Sequence, residues 1–266
     1  MPVYGVVMWF SSAQITVSPK IYAAKMVRTC QKQADYSPPL RRKRARPGLA
    51  WGSLSLHENI AMQLLYQTHS PYARKALVFA HEAGLAGQLE VIHHETSPTN
   101  RNEAVYAQNP LGKVPVLLRP GLPPVFDSDV ICEYLDSLHT GHPLIPLQGE
   151  ARWHALRVQA VAKGIADSGI AVRWETSRRP EALRYPPLRD GHTQKLLASY
   201  DWLEQELDVD GAVHVGHIAV ATSLSWLEFR ELPGFRNQRP KLTVWYQAFI
   251  TRPSMLATPL CGETQD

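Results

Sequence analysis

Cysteine is scarce in this chain: Cys30, Cys132 and Cys261 are the only three in 266 residues. They are odd in number, far apart and without a C-x-x-C pair, which argues against a disulfide framework or a zinc site. Such usage fits a reducing, cytoplasmic setting. Long apolar runs are also missing. The stretch VYGVVMWF at 3–10 is too short to span a bilayer, and no basic segment precedes it as in a signal peptide. Nor is there a strong charge of one sign over the main part of the chain. The net +4 is uneven: residues 1–61 hold nine Lys/Arg against two acids, a net +7, and the remainder is −3. No basic stripe interleaved with aromatics follows residue 61, so nucleic-acid binding by the main part is not expected.

What is present divides into three parts. Residues 1–61 lack sustained periodicity and carry the run LRRKRARPG at 40–48. They read as a solvated, disordered tail or as sequence upstream of the true start; a tail for RNA or an anionic surface is the other reading. From Met62 the pattern becomes regular. MQLLY at 62–66 reads as a buried strand, Gln67–Pro71 as a turn and YARKALVFAHEAGL at 72–85 as a helix. QLEVIHHE at 88–95 is a second strand, and a helical stretch spans Asn102–Gln108. NPLGKVPVLLRP at 109–120 and PPVFDSDVICEYLDSLH at 123–139 then supply strands and an amphipathic helix capped by Asp127 or Ser128. This α/β layer covers 62–140. Beyond GHPLIPLQG at 141–149 the patterning is purely helical, with helices expected near 150–176, 191–207, 214–229 and 240–252, making an all-α part at 149–258.

The segments SPYARKAL, NPLGKVPVL and FDSDVICEYLD resemble, in order and spacing, the glutathione-binding half of a glutathione S-transferase. AVAKGIADSGIAVRWETSRRP at 160–180 and HIAVATSLSWLEFR at 217–230 resemble the helical half of a bacterial branch of that superfamily. The resemblance covers about 62–258. It implies a thioredoxin-like domain followed by a helical bundle, and an enzyme that ionises the glutathione thiol for attack on a small electrophile. Glutathione is then a co-substrate, no metal is needed, no membrane is involved and the protein is a homodimer. A binding or regulatory protein that keeps the fold without transferase activity is the alternative.

The resemblance also assigns residues. Val114-Pro115 matches the cis-proline site, whose backbone pairs with glutathione like an added strand; a proline at a strand edge would need no ligand. Asp127 and Ser128 open a helix where the γ-glutamyl end would sit, and Lys113 faces the glycyl carboxylate. Ser70, before Pro71, is the expected donor to the thiolate, with His69 and Thr68 as alternatives on the same turn. No cysteine occupies that turn, so a mixed-disulfide chemistry lacks its nucleophile; Cys132 reads as a core residue. Asp167, Arg173 and Trp174 are candidates for the second substrate's pocket, Trp174 being equally readable as core. His214 and His217 stand where the family has a Ser/Thr and Asp capping box, which puts that cap in doubt; a metal pair is a remote option.

Overall fold

The computed structural model describes residues 62–263; the readings placed on 1–61 lie outside them. All described residues belong to one compact unit. It begins with β1 (Met62–Tyr66), α1 (Pro71–Glu82), β2 (Leu89–His93) and a short α2 (Glu103–Tyr106). β3 (Val116–Arg119), β4 (Leu122–Val125) and α3 (Ser128–Asp136) complete the first half. The sheet order is β2-β1-β3-β4, with β1 parallel to β2 and the other pairs antiparallel. This is the thioredoxin-like arrangement with its right-handed β-α-β start. Leu64, Leu65, Val116 and Leu117 pack from the sheet against Ala76 and Phe79 of α1 and Ile131 and Leu135 of α3, all of them buried.

Helices fill the second half: α4 (Gly149–Arg173), α5 (Pro186–Glu206), α6 (Val215–Phe229), α7 (Pro240–Phe249) and α8 (Pro253–Leu256). α4 ends in a wider π-type turn, Trp174–Arg178. α6 is the most buried element, with Ile218, Val220 and Leu224 inaccessible, because its sequence is apolar on every side. No helix among the described residues is long and apolar enough to cross a membrane.

One sequence reading changes here. The N-terminus of α6 does carry a capping box, built from imidazoles. Gly216 N–H donates to His214 Nδ1 (3.1 Å), and His214 N–H donates to His217 Nδ1 (3.3 Å). Both rings accept, so both are neutral. Burial, then His217 and His154, pushes the His214 pKa down to about 3, so no positive charge opposes the helix dipole at this start. Cys132 is the buried core thiol expected, raised to about 12 by burial.

Candidate functional site

The turn 67–70 is short because Ser70 N–H bonds back to the Gln67 carbonyl (2.9 Å) and Pro71 starts α1 at once. Ser70 is the N-cap: its Oγ accepts from Ala73 N–H at 3.2 Å. On the opposite side, the Val114–Pro115 peptide is cis, the geometry the resemblance implies. The loop before it is set by Asn109, whose amide donates to the Lys113 carbonyl (2.8 Å) and accepts from Leu111 N–H (3.0 Å). Gly112, at φ +62°, lies under the Tyr106 ring, which a side chain there would strike.

Between these two segments and the helical half lies a cavity of about 440 Å³. Ser70, His69, Lys113 and Val114 line it, as do Asp167, Arg173 and Trp174 from the end of α4. Trp174 is therefore a wall residue and not core. Thr68, Pro115, Asp127 and Ser128 do not line it. Thr68 turns the other way, where its Oγ1 donates to the Cys261 carbonyl (2.9 Å) while Cys261 N–H donates to the Thr68 carbonyl (3.2 Å). This reciprocal pair lays the tail 258–263 over the back of the turn. Trp226 Nε1–H holds the His69 carbonyl (2.9 Å).

His69 is engaged with Gln67 through Nε2 (2.8 Å), and a Cβ on Gly262 of the tail would lie 3.5 Å from its Nδ1. Burial drives its pKa to about 4, although Glu95 opposes the shift; the ring is neutral at physiological pH. The Tyr72 hydroxyl donates to Asp167, and burial together with that bond pushes its pKa up, so it supplies no phenolate.

At the head of α3 Asp127 is the cap, accepting from Asp129 N–H (2.9 Å), and Ser128 is buried behind it. Lys163 of α4 reaches both Asp127 (2.5 Å) and Asp129 (2.7 Å), and Lys75 of α1 pairs with Asp129. Burial raises both carboxyls, but these partners outweigh it and hold them below the usual range. Sequence reading missed Lys75, Asp129 and Lys163, and also Arg178 and Arg230 on the cavity wall. The signal for Lys163 was its place in the AVAKGIADSG segment, and that for Arg230 its place at the end of HIAVATSLSWLEFR.

Residues 69–138 match the family profile described as glutathione S-transferase, N-terminal domain. The chain is 31% identical over 203 residues to the uncharacterized GST-like protein YibF of Escherichia coli, covering 74% of this chain and 98% of that protein. It belongs to the glutathione S-transferase family. A glutathione transferase family member from Pseudomonas fluorescens Pf-5, solved with bound glutathione, is 35% identical with a TM-score of 0.72, over 76% of this chain and all of that one. A glutathione S-transferase from Methylobacillus flagellatus KT, solved with GSH bound, is 32% identical with a TM-score of 0.67, over 76% and 100%.

Proposed function

We propose that this glutathione S-transferase family member is an active transferase: it binds glutathione against the Ser70 turn, ionises the thiol and directs it onto a small electrophile in the cavity. One observation carries the reading. The Ser70 hydroxyl accepts the Ala73 N–H and keeps its own proton to donate, at the positive end of α1 and on the cavity wall. A thiol of pKa about 8.5 needs roughly 3 kcal/mol of extra thiolate stabilisation to fall two units. A hydrogen bond to a charge contributes about 1.5–3 kcal/mol, and a helix terminus about 0.3–1 kcal/mol. Together they supply about 2–4 kcal/mol, a range that brackets the requirement.

The glutathione bound in the solved relatives supports the ligand. In this reading the backbone of Val114, aligned by Pro115, pairs with the cysteinyl unit, and Lys113 faces the glycyl carboxylate. Asp127 and Ser128 receive the γ-glutamyl end, where Lys163 shares Asp127 with the ligand's amino group. The thiol proton passes to solvent, the sulfur–carbon bond forms and the leaving group departs with its electron pair. The homodimer belongs to the same proposal, and sedimentation of the full chain checks it.

The test is the ultraviolet absorbance of bound thiolate titrated against pH in wild type and Ser70→Ala. The variant is expected to have a higher thiol pKa and a rate ten- to a hundredfold lower near neutral pH, with glutathione affinity little changed. Coincident titrations make Ser70 a cap only and move attention to His69. Retention on immobilised glutathione without turnover of any electrophile would instead favour the non-catalytic binding protein.

A further inference from the structure

The cavity wall is cationic where the electrophile would sit. Among the described residues the lining includes Lys113, Arg173, Arg178 and Arg230 and one carboxylate, Asp167, which already accepts the Tyr72 hydroxyl. Arg230 stands at the end of α6 with its side chain 4% exposed. Its Nη1–H donates to Glu263 (3.0 Å). Its Nε and Nη2 are buried and have no hydrogen-bond partner. Those two N–H groups form one edge of the guanidinium, the parallel fork that receives both oxygens of a carboxylate.

Arg173 reaches the same Glu263 carboxylate at 3.9 Å, and the Arg178 guanidinium lies over the Trp174 ring at 4.3 Å. The three cations are close enough to disfavour one another. Burial, then Arg173 and Arg230, brings Arg178 down to about 10, and burial followed by Arg173 lowers Arg230. Arg173 and Arg230 also act on His69, the neighbour of Ser70, so the cluster lies beside the reactive turn. Glu263 fills only the Nη1 side of Arg230, and the buried donor edge left over, beside further cations, calls for an anion.

We infer that the electrophile carries a carboxylate, or an oxyanion of like shape such as a sulfonate, and that Arg230, with Arg173 and Arg178 beside it, receives that group. The inference rests on the transferase reading above and specifies its substrate class.

The experiment uses the full chain, glutathione and two aryl chlorides, 4-chloro-3-nitrobenzoate and 4-chloro-3-nitrobenzamide. In both, the thiolate adds to the chlorine-bearing carbon, the C–S bond forms and chloride leaves with the C–Cl electron pair; the thiol proton goes to solvent. Each kcat/KM is divided by the uncatalysed rate constant with glutathione, which removes intrinsic reactivity. The benzoate is expected to lead by at least tenfold, mainly through KM, and to lose that lead at high salt. In Arg230→Gln the preference should collapse to within about twofold; Arg173→Gln is the second variant should the first not fold. Equal or better use of the benzamide overturns the inference, as does a preference that survives both substitutions. A rise in the glutathione KM with no change in preference would put the guanidinium groups on glutathione itself and also overturns it. If neither chloride is conjugated, calorimetry with unreactive 4-methyl-3-nitrobenzoate and its amide decides the anion site separately from turnover. Binding of the benzoate at least tenfold tighter than the amide, lost in Arg230→Gln, upholds the site, and equal binding rejects it.

Discussion

His69 and the His214–His217 pair do two different jobs, and neither uses a charge. His69 sits neutral within the 67–70 turn, and His214 and His217 cap α6 through ring nitrogens that accept. His214 stacks on His217 at 3.8 Å and meets His154 edge-on at 5.9 Å, with Asp208 the nearby carboxylate. Its folded pKa of about 3 lies below the unfolded value near 6.5. Stability is therefore whole at neutral pH and falls as the pH drops below about 6.5, because the unfolded chain gains a proton that the native state refuses. One group so depressed costs about 2 kcal/mol by pH 5, reduced to roughly 1–2 kcal/mol by its partial access to solvent. His214→Asn keeps a capping acceptor and removes the titration. Urea denaturation between pH 7 and 5 should show the variant losing that much less stability than wild type. Parallel pH profiles would mean the imidazole is protonated in place without cost.

The elements whose signals are local were the ones readable in advance. Ser70-Pro71 starts α1, and Val114-Pro115 takes the cis form the family pattern implies, because in both a few adjacent residues carry the whole instruction. The α6 cap was misjudged for the opposite reason: its histidines cap well only when neutral, and burial decides that. The start of α6 also shows how tightly it crosses α4. A Cβ at Gly216 would lie 2.8 Å from the Ala155 carbonyl oxygen and 2.8 Å from Val158 Cβ. Alanine would gain about 1 kcal/mol in helix propensity, but pressing on a backbone oxygen costs about 1–3 kcal/mol. Gly216→Ala should thus lower the thermal midpoint by a few degrees; a raised midpoint would show that α4 and α6 can part freely.

At the scale of the whole molecule, the two halves are joined by charged and polar contacts that no periodicity reveals. Arg74 of α1, buried, donates to Ser225 (2.6 Å) and to the Met255 carbonyl (3.1 Å). Glu82 at the end of α1 takes a two-pronged bond from Arg252 (2.9 and 2.7 Å) and another from Ser254. Burial raises the Glu82 pKa, yet Arg252 and Ser254 prevail and hold it low. Its contribution is present at neutral pH and disappears as acid protonates the carboxylate. Glu82→Gln should cost about 1–2 kcal/mol at pH 7, and the gap from wild type should narrow below the ordinary glutamate range and close only once the depressed folded pKa is passed. A gap that persists in acid would assign the loss to packing. Cavity-wall residues such as Arg178 and Arg230 escaped sequence reading on similar grounds: each is one arginine among many until a distant segment is folded against it.

The reciprocal bonds between Thr68 and Cys261 make the end of the described chain a lever on the 67–70 turn. A fluorophore, an immobilising linker or a fused polypeptide placed beyond Glu263 would tug on the peptide that precedes His69 and Ser70, and would shift the carboxylate that now rests on Arg230. Kinetic constants measured on such a fusion would describe the attachment as much as the protein. Lys195, exposed on α5 and outside the cavity lining, is the better anchor.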